Sequence, residues 1–222
     1  MKQHFWVSLR QTLVRNPGFS GAFMVFALAG GLWLFLWEKG QMVLWLNAWH
    51  QPGWDIFFKY FTFVGDGIFY ALVCVGLFGW RVRWGGLGLL CFVSTGLAAQ
   101  FLKKWVFPEA LRPVAFFKDK ADLHWVEGVV VHSYQSFPSG HTVTAFSCFC
   151  LLALLWPRPI WGILGLGLAS LAGLSRVYLG QHFWVDVYAG AWLGTVLTWL
   201  IFTLLLPYSQ VRPTRASPVK TA

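Results

Sequence analysis

Long runs of apolar residues alternate with shorter polar connectors along most of the chain. Each run approaches the roughly 20 residues that an α-helix needs to cross a bilayer. In lipid a helix satisfies all its backbone hydrogen bonds internally, so such runs predict membrane-spanning helices. The predicted spans cover residues 19–37, 56–80, 85–102, 142–156, 160–176 and 187–206.

Two of the six predicted spans depart from a simple apolar run. Lys59 and Asp66 interrupt the second span, so its first half is expected to lie along the interface or to extend a tilted helix. The fourth span is short, and we expect it to take Gly140 and His141 as its first turn. The predicted fold is all-α, a polytopic membrane protein of six transmembrane helices.

The rest of the chain is divided around these helices. Residues 1–18 are expected to form a cytoplasmic N-terminal segment, and residues 19–206 the six-helix domain. Residues 207–222 are polar and are predicted to be a disordered tail.

Composition supports the membrane interpretation. The 222 residues are 57% hydrophobic and 11% charged, whereas about a quarter of the residues of a soluble domain are charged. The net charge of +9 comes from basic residues spread over segment ends, with no run typical of a nucleic-acid patch. We therefore expect a bilayer as the partner of these charges and no nucleic acid.

The distribution of Lys and Arg sets the expected orientation. With six spans, both termini and both tight turns lie on one side, which carries nine Lys and Arg residues and no acidic one. The other side carries eight, but several are clustered as if to bind an anion. We therefore expect cytoplasmic termini, in a bacterial inner membrane because the chain is compact, and functional residues that face the periplasm or the outside.

The first chemical motif is Pro138-Ser139-Gly140-His141, directly before the fourth span. Ser139 is a plausible N-cap, and Gly140 lets the backbone approach a ligand closely. Free N–H groups at a helix N-terminus bind phosphate oxygens, and His141 would stand beside them. An ordinary capped helix with an interfacial histidine is the alternative.

The second motif combines Arg176, His182 and Asp186. His182 and Asp186 are four residues apart, so on a helix the carboxylate can orient the imidazole. A chain break around residues 179–181 would bring Arg176 beside His182. Ionisable residues at membrane depth are costly and indicate function, although an Arg–Asp pair that ties two helices together is the alternative.

The third cluster follows the third span and contains Lys103, Lys104 and Arg112-Pro113. Basic residues near a helix end also anchor helices to lipid headgroups. However, all three clusters fall on the same membrane face, which favours one shared site there.

Along the chain, a Lys followed by Arg-Pro comes first, then Pro-Ser-Gly-His, then Ser-Arg followed by His and Asp. These three motifs, in this order, resemble the signature of the type 2 phosphatidic acid phosphatase superfamily. That superfamily also includes bacterial acid phosphatases and vanadium haloperoxidases. The resemblance covers about residues 65–206. The family has six residues between Lys and Arg-Pro, whereas seven separate Lys104 from Arg112; we assign Lys104, with Lys103 as the alternative.

The resemblance implies a catalytic role for each residue. His182 would attack phosphorus and form a phosphohistidine, with Asp186 holding its other ring nitrogen. His141 would protonate the leaving oxygen and then activate water. The phosphate oxygens would be bound by the remaining motif residues, Lys104, Arg112, Ser139, Gly140 and Arg176.

The implied activity is a metal-independent phosphatase without a cofactor, acting on a lipid phosphate such as undecaprenyl diphosphate, lipid A phosphate, phosphatidylglycerol phosphate or phosphatidic acid. A metal site formed by His124, His132, His141 and Asp186 is a rival, but these residues lack compact ligand spacing. A lipid transporter would need the cations but no nucleophile, and a haloperoxidase is usually a soluble chain. The oligomeric state stays open.

Overall fold

The computed structural model describes residues 2–205, and the predicted tail at 207–222 lies outside them. Within this range the secondary structure is helical, with no strand. The helices are α1 (Lys2–Arg15), α2 (Pro17–Leu36), α3 (Gln41–Ala48), α4 (Pro52–Phe61), α5 (Gly67–Trp80), α6 (Val82–Phe101), α7 (Pro113–Phe116), α8 (Gly140–Leu155), α9 (Pro159–Tyr178) and α10 (Trp184–Leu205). The predicted all-α fold class is confirmed.

Four helices in the described range are long and apolar enough to cross a membrane: α2, α6 with its continuation to Val106, α9 and α10. The pair formed by Pro52–Gly65 and Gly67–Trp80 counts as a fifth span if its two parts act together. Helix α8 is apolar but has only 16 residues. Four to five of the six predicted spans therefore have the length and composition of a membrane-crossing helix.

The second predicted span is broken at Asp66, while Lys59 lies within the last turn of α4. Helix α4 continues into a 3₁₀ turn, Thr62–Gly65, and the chain then bends by 50° before α5. Asp66 stands at the bend as the N-cap of α5, and its side chain accepts the Ile68 N–H at 2.8 Å. The interruption expected from Asp66 is thus a helix boundary with a side-chain cap.

Helix α8 is the centre of the bundle. It begins at Gly140 after the N-cap Ser139, as the sequence predicts, and 12 of its 16 residues are buried. The neighbouring helices α6, α9 and α10 pack around it. A helix that is apolar on all sides is typical of such a fully enclosed position.

Small residues bring α10 close to α8. A Cβ atom added at Gly190 would lie 2.8 Å from the Ser139 carbonyl oxygen, and one at Gly194 would overlap the Val143 carbonyl. Glycine at these positions lets the two backbones approach, as small residues do in membrane helix packing. The start of α8 is therefore held firmly against the first turns of α10.

The outer surface of the bundle is apolar, as a lipid-facing surface must be. On α2, Phe35 is 86% exposed and Leu28 is 68% exposed, while Phe19 and Phe23 on the same helix are buried. Large apolar side chains at such exposure would be costly in water but not in a bilayer.

Hydrogen bonds fix α2 at both ends of the bundle. At one end the Asn16 side chain donates to the Ala153 and Arg158 carbonyls, at the turn between α8 and α9. At the other end the Trp184 indole donates to the Gly30 carbonyl at 3.1 Å. The chemical motifs lie at this second end, where α10 begins.

Candidate active site

A cleft of about 620 Å³ opens where α6, α8 and α9 meet the long loop of residues 107–139. It brings together residues of all three sequence motifs. None of the described residues that line it is an Asp or Glu, so its walls favour an anion. The lining residues are Gln100, Lys103, Arg112, Val130, His132, Ser133, Tyr134, Gln135, Gly140, His141, Arg176, Gln181 and His182.

The first turn of α8 presents Gly140 and His141 to the cleft. Ser139 is fully buried, and its hydroxyl oxygen accepts the Thr142 hydroxyl at 2.9 Å and the Thr142 N–H at 3.4 Å. The structure thus places the Ser139 side chain behind the cleft as a helix cap. At this helix end, Gly140 and His141 are the residues that line the cleft.

The predicted break between Arg176 and His182 is present. Gly180 adopts a left-handed conformation with φ of 63°, which suits glycine. The N–H groups of Gln181 and His182 then both donate to the Arg176 carbonyl, at 2.9 and 3.2 Å. This turn returns His182 to the same wall of the cleft as Arg176.

His182 and Asp186 form the expected pair. His182 Nδ1 lies 3.4 Å from Asp186 Oδ2, and both residues are 2% exposed. The same carboxylate oxygen accepts the Phe183 N–H at 2.9 Å. With Nδ1 turned to the carboxylate, the other ring nitrogen is the one available at the cleft.

Burial keeps the His182 imidazole neutral. It lowers the pKa of His182 to about 3; Asp186 acts in the opposite direction, and Arg112 and Lys103 add to the lowering. A neutral imidazole has a free lone pair on one nitrogen, which a nucleophile requires.

Arg176 is 8% exposed and only partly used by the protein. Its Nη1 donates to the Thr62 hydroxyl at 2.7 Å. Its Nε, although buried, has no hydrogen-bond partner in the described part of the chain. A buried donor without a partner at a cleft wall is suited to an oxygen of a bound ligand.

Arg112 is held in place by two segments. Its Nε donates to the Tyr134 carbonyl at 3.0 Å, and its Nη1 donates to the Gln181 side-chain oxygen at 3.1 Å. Burial lowers the pKa of Arg112, and Asp186 opposes this, but an arginine stays charged in proteins. Arg112 therefore contributes a fixed positive charge to the cleft.

The two lysines after α6 have different positions. Lys103 is 7% exposed, lines the cleft and donates from Nζ to the Gln135 carbonyl at 2.8 Å. Lys104 is exposed and is not among the lining residues. The structure thus brings Lys103 into the site, while the assigned Lys104 lies on the outer side of the same turn.

A π-helical turn, Leu102–Val106, explains why sequence spacing misled at this position. The Phe107 N–H donates to the Leu102 carbonyl five residues earlier, at 2.8 Å. A π-turn accommodates extra residues and changes which side chains face inward. Nothing in the local sequence signals a π-turn.

His141 is supported from the bend before α5. Its Nε2 lies 3.7 Å from Asp66 Oδ2. A Cβ atom at Gly65 would lie 2.8 Å from the His141 carbonyl oxygen, so only glycine leaves room there. The bend thus contacts both the backbone and the ring of His141.

The segment before the Pro-Ser-Gly-His motif contains site residues that sequence reasoning missed. The Ser133 carbonyl accepts the Arg112 backbone N–H, the Tyr134 carbonyl accepts Arg112 Nε, and the Gln135 carbonyl accepts Lys103 Nζ.

Gln181 is a further site residue that sequence reasoning missed. The Gln181 backbone carbonyl and side-chain oxygen both accept a hydrogen bond from Arg112 Nη1, and Gln181 is 2% exposed. For all these residues, the only feature of the sequence that could have indicated a role in the site was their closeness to the motifs.

His124 lies away from the cleft. It pairs with Asp55 at 2.8 Å and stacks on His50, with ring centroids 4.0 Å apart. Within residues 2–205 no group of three or more His, Cys, Asp or Glu side chains is arranged to hold a metal ion.

The family of the chain is established by comparison with known proteins. The chain belongs to the PAP2 superfamily, whose family model matches residues 84–208. This stretch contains all three motifs that line the cleft.

Named relatives and solved structures agree with this family. Phosphatidylglycerophosphatase B of Bacillus subtilis is 35% identical over 59% of this chain and 63% of its own length. The lipid A 1-phosphatase of Rhizobium johnstonii is 33% identical over 54% of this chain and 49% of its own length. The chain thus spans between about half and two thirds of the length of these curated relatives.

The crystal structure of a transmembrane PAP2-type phosphatidylglycerolphosphate phosphatase from Bacillus subtilis superimposes with a TM-score of 0.61. It is 26% identical and covers 88% of this chain and 98% of that one. The helical bundle is therefore similar over most of both chains.

Proposed function

We propose that this protein is an integral-membrane phosphatase that hydrolyses a phosphomonoester or diphosphate of a lipid. The observation that carries the proposal is the cleft itself. The cleft is lined by the imidazoles of His132, His141 and His182, and by three cations. His182 is paired with the buried Asp186, and no carboxylate lines the cleft among the described residues. A site that only bound an anion would need the cations but not the paired imidazole.

In this proposal the phosphoryl group occupies the centre of the cleft. His182 attacks phosphorus with the ring nitrogen opposite Asp186, and a phosphohistidine forms as the lipid oxygen leaves. His141 gives that oxygen a proton and then takes one from the water that cleaves the phosphoenzyme. Nucleophile and acid stand on the two helix ends that α8 and α10 bring together.

The cations stabilise the charge that builds on the phosphoryl oxygens. Lys103, Arg112 and Arg176 line the cleft, and the Gly140 N–H lies at the N-terminus of α8. Lys103 takes the role first assigned to Lys104, because only Lys103 lines the cleft. Ser139 acts through the helix cap.

The bundle supports a lipid substrate. If α8 crosses as a short span and the α4–α5 pair as a bent one, the chain would cross six times, with the cleft at one membrane face and both termini at the other. The lipid chains would then stay in the bilayer while the headgroup enters the cleft. We propose cytoplasmic termini in a bacterial inner membrane, with the cleft facing the periplasm or the outside.

The substrate class follows from the cleft and from the names of the relatives. A cationic cleft of about 620 Å³ has room for a phosphorylated headgroup. The relatives are named for phosphatidylglycerol phosphate and lipid A. The candidates are these two lipids, phosphatidic acid and undecaprenyl diphosphate.

Phosphate release by the purified protein tests this function. In detergent or liposomes with excess EDTA, we expect wild-type protein to release phosphate from at least one of the four lipids. The His182→Ala variant should bind the same lipid but release none. Release that needs a divalent ion, or that survives in His182→Ala, would contradict the proposal.

A further inference from the structure

Ser136 lies at the point where the three motifs meet, although it belongs to none of them. It is 1% exposed, and its hydroxyl donates to Asp186 Oδ2 at 2.5 Å. Its oxygen is also 3.5 Å from His182 Nδ1. The hydroxyl therefore touches both members of the His182–Asp186 pair, and Ser136 is not among the described residues that line the cleft.

The backbone around Ser136 is fixed from several directions. Its N–H donates to the Ala110 carbonyl at 3.0 Å, two residues before Arg112. The preceding residue, Gln135, has φ of 57°, a left-handed conformation that is uncommon for a residue with a side chain. Its carbonyl accepts Lys103 Nζ. The hydroxyl of Ser136 is thus placed by the same segment that places the cations.

The carboxylate of Asp186 can turn about its side-chain bonds unless its oxygens are held. Asp186 Oδ2 accepts two hydrogen bonds, one from the Phe183 N–H at the start of its own helix and one from the Ser136 hydroxyl in the loop before α8. Two donors from different directions fix the oxygen that faces His182 Nδ1. A fixed acceptor holds one imidazole tautomer and one ring orientation.

We propose that Ser136 is a positioning residue for the phosphoryl-transfer step, acting on the nucleophile His182 through Asp186. The inference rests on the proposed function. Ser136 does not touch the phosphate, so its removal should affect the rate of chemistry and not the affinity of the cleft for phosphate. The segment 133–136 would then align the nucleophile and the cations together.

The variant Ser136→Ala tests the inference in purified protein. We expect kcat to fall on the order of 10- to 100-fold, the range for losing a hydrogen bond to a charged group. KM for the lipid and the inhibition constant of vanadate, which mimics the transferring phosphoryl group, should change less than about 3-fold because the cleft cations remain.

A matched control is Ser147→Ala in α8. Ser147 is also fully buried, and its hydroxyl bonds to Thr198 Oγ1 at 2.8 Å and Tyr70 OH at 3.3 Å, away from the cleft. Both variants lose a buried hydroxyl, so a general loss of stability would affect both. We expect kcat to stay near the wild-type value in Ser147→Ala.

A double-mutant cycle distinguishes positioning from a merely structural effect. In the Asp186→Ala background the Ser136 hydroxyl has lost its acceptor, so adding Ser136→Ala should change kcat less than about 2-fold. The inference would be overturned if kcat is unchanged in Ser136→Ala, or if Ser136→Ala lowers kcat equally in the wild-type and Asp186→Ala backgrounds. It would also be overturned if Ser136→Ala raises only KM and the inhibition constant of vanadate. Turnover that survives in His182→Ala would instead overturn the proposed function.

Discussion

The direction of the side chain decides which of the two lysines after α6 can reach the cleft. Lys103 points into the cleft toward the Gln135 carbonyl, while Lys104 is exposed. The sequence predicted that a lysine at this helix end binds phosphate, and the first choice was Lys104. Residue spacing could not decide between them, because the π-turn changes the inward face and is not encoded by a recognisable motif.

Paired lysine variants test this assignment. Lys103→Ala should lower kcat about 100-fold, the usual result of removing one charge contact to a transition state. Lys104→Ala, its matched control, should stay close to wild type. The measurement is steady-state hydrolysis of one lipid phosphate at saturating concentration. The assignment of Lys103 fails if the two variants exchange these results.

The neutral state of His182 predicts how stability depends on pH. Its pKa is lowered from 6.5 to about 3, so the unfolded chain binds a proton below pH 6.5 that the folded chain does not. Because the unfolded chain binds the extra proton, the contribution of neutral His182 to the free energy of unfolding is fully present above pH 6.5 and decreases as the pH falls toward 3. By pH 5 the loss is roughly 2 kcal/mol.

The effect can be isolated by comparison with His182→Gln, which does not titrate. Melting temperatures in detergent should fall more for wild type than for His182→Gln when the pH is lowered from 7.5 to 5. Equal shifts in both proteins would show that His182 is not held neutral by burial.

At the scale of helices, the sequence predicted most of what positions the site. The start of α8 at Gly140, the Ser139 cap and the break at residues 179–181 all follow from local residue chemistry, and the structure contains each of them. The support from more distant segments could not be predicted. Ser136 and Gln181 act through contacts across 50 and 69 residues, which no local pattern specifies.

Gly65 illustrates such a contact between elements. A side chain at Gly65 would press on the His141 carbonyl at the first turn of α8. Gly65→Ala should therefore displace His141 and lower kcat by roughly 10-fold or more. Gly76→Ala in α5, where an added Cβ meets nothing within 4 Å, is the control and should keep full activity. Equal activity of the two variants would show that the bend does not position His141.

At the scale of the whole molecule, the cleft and the turn between α8 and α9 lie at opposite ends of the bundle. At the end with the turn, the Asn16 side chain before α2 donates to the Ala153 carbonyl. At the end with the cleft, the Trp184 indole donates to the Gly30 carbonyl of α2. The sequence predicted this segregation from the alternation of spans and loops. The number of crossings was harder to predict, because α8 is short and the α4–α5 pair is bent.

Labelling with a membrane-impermeant maleimide tests the arrangement across the bilayer. The four native cysteines are buried, so an added cysteine should dominate the reaction. Asp122→Cys, in the long loop, should react in intact spheroplasts. Arg158→Cys, at the turn before α9, should react only after permeabilisation. Reaction of both without permeabilisation would rule out a membrane between the two ends.

The central claim is that His182 carries the phosphoryl group during turnover, and trapping that intermediate tests it most directly. Wild-type protein is mixed with a lipid phosphate labelled in its phosphate, quenched within the first turnovers and digested for mass spectrometry. We expect acid-labile, base-stable phosphate on the peptide that contains His182, and none in His182→Ala. Phosphate on a serine or aspartate, or turnover with no label at His182, would contradict the account.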